Sequence, residues 1–150
     1  MILWRISNHV SLSGDGGLRT SGRWHTRGRR IVYCAMTPAA ALLEILVHLE
    51  IDLQDLPTRY RLLKIAAPDG IGVERMAAER LSADWPQRTD LTRASGDEWL
   101  DRAATALRMV PSAIVPETFN LLLNPAHPDA ARLTIMTAGE HALDPRLLRW

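Results

Sequence analysis

This chain of 150 residues has one cysteine, one lysine and no long apolar run. With Cys34 alone, an internal disulfide is excluded, which fits a reducing compartment. The most apolar stretch, residues 37–49, falls short of the roughly 20 residues a bilayer-spanning helix needs. The first ten residues include Arg5, Asn8 and His9 and lack the apolar core, about 7–15 residues long, of a secretory leader. These absences lead to the expectation of a soluble cytoplasmic protein with no membrane partner. Neither an internal repeat nor a linker is visible, so one domain over residues 1–150 is expected. A chain of this size buries roughly 68–70% of its unfolded surface and needs no disulfide or metal staple. An apolar share of 47% and a charged share of 23% exclude disordered, collagen-like and low-complexity classes.

Charge is nearly balanced at +1, but it is unevenly spread. Residues 1–75 carry +3 and residues 76–150 carry −2. Arg19, Arg23, Arg27, Arg29 and Arg30 crowd one segment, and no acid interrupts residues 16–43. Arginine grips phosphate through a planar fork of donors. The cluster reads either as a solvated basic loop or as an anion-binding segment.

Residues 4–7, 59–66, 109–115 and 133–137 read as strands, and residues 11–22 as a Ser/Gly-rich loop. Two extended pieces follow at 22–25 and 30–35. In the second, Ile31, Tyr33 and Ala35 share one face, and Val32 and Cys34 the other. Thr37 and Pro38 form a helix start, an N-cap followed by proline at the first helical position. That helix is expected to stop near Ile51. Residues 74–81 read as a short amphipathic helix and 82–92 as a loop. Ser95 and Glu98 read as a capping box opening a helix to about Leu107. An Asn-Pro-Ala-His-Pro turn follows Asn120, with one helical turn at 129–132 and a short helix capped by Asp144 and Pro145. Short strands mixed with helices, without a regular βαβ rhythm, predict an α+β fold.

Common catalytic signatures are missing. The chain has no dinucleotide-binding glycine fingerprint, no P-loop, no His-Glu-x-x-His and no histidine pair at ligand spacing, so no metal site is expected. Ser112 lies in Val-Pro-Ser-Ala rather than in a nucleophile elbow. Cys34, in an apolar strand, reads as buried filler. Glu44 is the only charged residue between Thr37 and Val47. It reads either as part of an exposed stripe with His48, Asp52 and Asp55 or as a carboxylate at a cleft. Arg23 could face an anion or cover the sheet with its stem. Tyr33 lies on a strand, where core packing is the commoner fate.

Taken in order, several short segments resemble one family. They include Gly22-Arg23-Trp24-His25, Ile31-Val32-Tyr33-Cys34-Ala35 and Ala41-Leu42-Leu43-Glu44. Further along come Val110-Pro111-Ser112-Ala113, Asn120 to Pro128, and Asp144-Pro145-Arg146-Leu147. The set is similar to the RES domain family, which contains toxins of bacterial RES–Xre toxin–antitoxin pairs. His25 stands where many members carry Asn. The resemblance implies a compact mixed β core with surrounding helices, ADP-ribosyltransferase-like, with a cleft for NAD. It implies Arg23, Tyr33, Glu44 and Ser112 as site residues, NAD as substrate rather than prosthetic group, and a cognate Xre-family antitoxin as partner. DNA would then be engaged only through the antitoxin, and a homodimer could sit within the larger complex.

The residue types suit that chemistry. A guanidinium such as Arg23 can hold a pyrophosphate, and an aromatic ring such as Tyr33 can stack on the flat nicotinamide cation. A carboxylate such as Glu44 can stabilise the positive charge that builds on the ribose as the glycosidic bond breaks. Ser112 can add a hydrogen bond to the sugar or amide. Two other outcomes remain open from sequence: transfer of ADP-ribose to a protein, and an inactive binding module docking through the segment 19–30.

Overall fold

In the computed structural model, residues 1–49 and 57–148 are described. A seven-stranded sheet in the order β4-β5-β6-β2-β1-β3-β7 forms the centre. Its strands are β1 (Ile2–Ile6), β2 (Val32–Ala35), β3 (Arg59–Ala66), β4 (Val73–Arg75), β5 (Leu107–Pro111), β6 (Phe119–Leu123) and β7 (Thr134–Ala142). Only β4 and β5 run parallel; every other neighbouring pair is antiparallel. Among the described residues three α-helices accompany it: α1 (Gly16–Arg19), α2 (Pro38–His48) and α3 (Thr89–Arg102). The expected α+β class is therefore the one observed.

Apolar side chains leave the sheet on both sides. Leu3, Val32, Cys34, Leu63, Ile65, Leu107, Leu121 and Leu123 belong to one cluster. Ile31, Val110 and Leu122 join Trp24, Trp99 and Leu100 in a second, against α3. The face assignment for β2 from its alternation holds, with both faces covered. Double coverage also explains β6: Leu121, Leu122 and Leu123 are all fully buried, so no polar alternation marks the strand. Sequence reading placed only an apolar start there.

Several boundaries differ from expectation. Residues 74–81 are not a helix: β4 pairs with β5, the Met76 N–H donates to the Met109 carbonyl (2.9 Å), and a 3-10 turn follows at Ala78–Arg80. Tertiary pairing outweighs the local helical pattern. The supposed loop 82–92 holds a 3-10 turn at Trp85–Gln87 and the start of α3. Ser95 is not a cap. It lies mid-helix and both its hydroxyl and carbonyl accept from the Arg108 guanidinium. The helix ends at Arg102, closed by Ala103 in the left-handed region at φ 48°. Residues 22–25 form a tight turn bridged between Gly22 and His25, not an extended piece. The α2 start is as expected, with the Thr37 hydroxyl accepting from the Ala40 N–H (3.1 Å) and Pro38 at the first position. Its expected stop near Ile51, like Asp52 and Asp55 of the proposed stripe, lies outside the described residues.

Two features position the site. First, the β1–β2 seam is thin, with one registered pair, Trp4 with Ala35, where β1 and β3 share five. Beyond that pair the Arg5 guanidinium reaches the Tyr33 carbonyl (3.0 Å), taking the place of a ladder bond. Second, α3 holds the 22–26 turn. Thr92 donates its hydroxyl hydrogen to the Arg23 carbonyl (2.6 Å), and Arg93 donates to the Gly22 carbonyl (2.8 Å). The Thr26 N–H donates to Asp97 (2.9 Å). Gly96 makes this approach feasible, because a Cβ there would overlap the Trp24 carbonyl oxygen.

Gly96→Ala must push α3 and the turn apart. We expect a loss of about 3 kcal/mol, the upper end for overpacking against a rigid neighbour. That corresponds to roughly 6–12 °C in Tm for a domain of this size, read by thermal unfolding. An unchanged Tm would show that the helix and turn do not press on each other.

Candidate active site

Arg23, Tyr33 and Glu44 line one cavity of about 280 Å³ beside the β1–β2 seam. Its walls are mostly apolar, with Trp4 and Ile6 from β1, Ala41 and Ile45 from α2, and Trp24, Pro111 and Ala113. The size is at the low end for ligand sites, enough for one part of a dinucleotide.

Glu44 lies on the half-buried side of α2, not on a fully solvated stripe. Its Oε1 accepts from the Ser112 hydroxyl (3.0 Å) and from the Asn120 side-chain amide (2.6 Å). Both bonds go to Oε1; among the described residues Oε2 has no protein donor. The carboxylate is thus fixed through one oxygen and free at the other. Asn120 sits on β6 opposite Ala35 and Val110, so its amide is held by the middle of the sheet. His48 turns back onto its own helix, with Nδ1 2.6 Å from the Glu44 carbonyl oxygen.

Ser112 follows β5. Its hydroxyl oxygen accepts from the N–H groups of Ile114 (3.1 Å) and Val115 (3.3 Å) while its hydrogen goes to Glu44. Those bonds commit the hydroxyl to holding Glu44. Sequence reading gave Ser112 a ligand bond; in the structure it touches the carboxylate and does not line the cavity with the other three.

Arg23 occupies the tight turn, and one guanidinium nitrogen donates to the Pro86 carbonyl (2.7 Å). One end of the fork is anchored; the rest lines the cavity. Tyr33 is tied through its hydroxyl, which accepts from the Trp24 N–H (3.0 Å) and lies 2.8 Å from His25 Nδ1. The Gly22 N–H also points at that nitrogen (3.2 Å), while His25 Nε2 faces the Gly17 carbonyl (3.3 Å). This network assigns the hydrogen to Nε2 and makes Nδ1 the acceptor from Tyr33. Gly22 is required for the arrangement, since a Cβ there would collide with the Tyr33 hydroxyl. Burial pushes the Tyr33 phenol above its usual range, so it stays protonated and donating.

Sequence reading missed two contributors. Asn120 appeared only inside a family segment, and nothing local marks its amide as a Glu44 ligand; the contact arises from β6 crossing next to β2. Arg5 enters the sequence reading as a leader-excluding charge and as part of the family segment Trp4-Arg5-Ile6, with no role at the site. Burial pushes its guanidinium below the ordinary value, and its Nε is buried without a hydrogen-bond partner among the described residues. Cys34, by contrast, is the filler expected, its thiol pushed up to about 12 by burial. Among the described residues no three His, Cys, Asp or Glu side chains gather as a metal site, and no helix is long and apolar enough to cross a membrane.

Residues 2–144 match the RES domain. A Pseudomonas putida protein named Toxin Res is 52% identical over 87% of this chain and 88% of its own length. A Sphingobium protein named Prs ADP-ribosylating toxin is 37% identical over 97% of this chain and 96% of its own. In structure, the chain resembles a chain of the M. tuberculosis MbcT-MbcA toxin-antitoxin complex, with a TM-score of 0.75 at 19% identity, covering 97% of this chain and 85% of that one. That likeness speaks for the fold alone. The chain belongs to the RES domain family. Relatives that it matches are named as toxins.

The His25 network generates a pH prediction. Burial pushes His25 below its ordinary value, because a charged ring is poorly solvated in the protein interior. The unfolded chain then takes up a proton first, near pH 6.5. Stability is complete above that pH and falls as pH drops through the window below it, by at most about 1.4 kcal/mol per unit for one proton. Denaturant unfolding between pH 7.5 and 5.5 should show this slope in the parent and a shallower one in His25→Asn. Equal slopes would remove His25 as the titrating group.

Proposed function

We propose that this chain consumes NAD by cleaving the nicotinamide–ribose bond, acting in the cytoplasm. The observation that carries the reading is Glu44: a carboxylate fixed by Ser112 and Asn120, with Oε2 free, in a cavity shared with Arg23 and Tyr33. When the bond breaks, its electron pair goes to the nicotinamide ring nitrogen and the leaving group departs neutral, so no general acid is required. Positive charge develops on the ribose, and a preorganised carboxylate in an apolar-walled site stabilises it. The new bond forms between the ribose carbon and an acceptor (water, phosphate or a protein nucleophile), whose proton passes to solvent. Tyr33 supplies an aromatic surface, and the free part of the Arg23 fork suits the pyrophosphate. In this account Ser112 and Asn120 are positioning residues for Glu44.

Transfer to a protein is the second reading, favoured by the Sphingobium relative's name, ADP-ribosylating toxin. An inactive module docking through the segment 19–30 has less support, because Arg29 pairs with Asp101 (2.9 Å) and Arg30 with Asp15 (2.8 Å). We also propose an antitoxin partner, in line with the MbcT-MbcA complex, of the Xre family and carrying the DNA-binding role. NAD is substrate in this scheme, with no prosthetic group or metal.

Glu44→Gln keeps the shape and removes the charge. Nicotinamide release should fall by about 10²-fold or more, the scale for one group aimed at developing charge, with NAD binding less affected. Near-parent turnover would contradict the role. Arg23→Ala should weaken NAD binding, and Arg23→Lys should restore it only in part, because a point charge does not replace the fork. Unchanged binding and turnover in Arg23→Ala would remove the phosphate role.

A further inference from the structure

A second depression, about 510 Å³, lies next to the first and shares its Pro111 and Ala113 wall. It is lined by Trp85, Pro86, Phe119, Glu79 and Glu117 among others. The partition between the two is aromatic. Trp24 lines the first cavity and Trp85 the second, with ring centroids 6.0 Å apart. Arg23 stands at the same partition: it lines the first cavity and its guanidinium is bonded to the Pro86 carbonyl of the second.

We propose that this second depression binds the adenosine half of the dinucleotide and selects the form without a 2′-phosphate. The proposal rests on the NAD reading above. The first cavity accommodates one part of a dinucleotide, and the Arg23 fork at the boundary suits the pyrophosphate that joins the two halves. The remaining half must then lie beyond Arg23, where Trp85 offers a half-buried ring. Base stacking on such a ring is independent of base pairing and contributes substantially to affinity. Phe119 is less available, because the Arg75 guanidinium sits over it at 4.7 Å.

The acids set the specificity. Glu79 and Glu117 are exposed, and among the described residues neither has a hydrogen-bond or ion-pair partner. A carboxylate accepts from the ribose hydroxyls of an unphosphorylated adenosine and repels a 2′-phosphate, the same logic that separates NAD from NADP at other dinucleotide sites. Glu117 also holds a left-handed backbone, φ 62°, which a non-glycine residue adopts at a cost.

The test uses adenosine 5′-monophosphate and adenosine 2′,5′-bisphosphate as probes, titrated calorimetrically against the whole chain. The monophosphate should bind, and the bisphosphate should bind at least tenfold more weakly. Trp85→Ala should weaken the monophosphate by about tenfold, within the range for loss of one stacked base. Trp85→Phe, which keeps a ring, should fall between, and guards against a folding defect in the alanine variant. Glu79→Gln with Glu117→Gln should narrow the preference against the bisphosphate. In turnover, Trp85→Ala should raise KM for NAD by a larger factor than KM for nicotinamide mononucleotide. No monophosphate binding, or equal binding by parent and both Trp85 variants, overturns the subsite even where nicotinamide is released. Equal binding of the two probes overturns the specificity. Monophosphate binding without nicotinamide release from NAD supports the subsite and overturns the cleavage reading instead.

Discussion

The contact between α3 and the 22–26 turn is the constraint on which the site depends. Gly96 lets the helix backbone lie against the Trp24 carbonyl, and Thr92, Arg93 and Asp97 take up the turn's polar groups. Thr92 is fully buried, so its bond to the Arg23 carbonyl is shielded from water. Leaving such a group unsatisfied costs about 1–3 kcal/mol, which makes the turn costly to displace. Everything that follows from the turn inherits this rigidity: the placement of the Arg23 fork, the Gly22 approach to Tyr33, and the His25 bond that fixes the Tyr33 hydroxyl.

The opposite wall is built by different means. Glu44 rides on α2, whose start is set by Thr37 and Pro38, and its orientation comes from donors outside the helix. Ser112 stands just past β5, and Asn120 belongs to β6, so two neighbouring strands converge on a single carboxylate oxygen. The thin β1–β2 seam lies between the two walls, and there Arg5 spans from one strand to the other. A fixed carboxylate and a fixed guanidinium thus border one apolar-walled space without being paired to each other, the arrangement that suits binding of a third, charged group.

Much of this was legible in the sequence, and the illegible parts have physical causes. Alternation located β2, and the Thr37-Pro38 start located α2, because both signals are local. Glu44 drew attention as a lone charge in an apolar run, and the family segments singled out Arg23, Tyr33 and Ser112. Residues 74–81 misled because their amphipathic pattern is local, whereas the β4–β5 pairing that replaces a helix is long-range. Ser95 and Glu98 imitate a helix start, whereas Gly96 between them lies mid-helix against the Trp24 backbone. The Asn120 contact with Glu44 spans 76 residues and depends on strand order, which no short motif records.

The most direct test of the account is to incubate the purified chain with NAD and follow the nicotinamide ring by proton NMR. The account predicts free nicotinamide appearing in step with an ADP-ribose product, whether hydrolysed, phosphorylated or attached to protein, and a rate that collapses in Glu44→Gln of equal Tm. Intact NAD after prolonged incubation with the folded chain and each class of acceptor would contradict it.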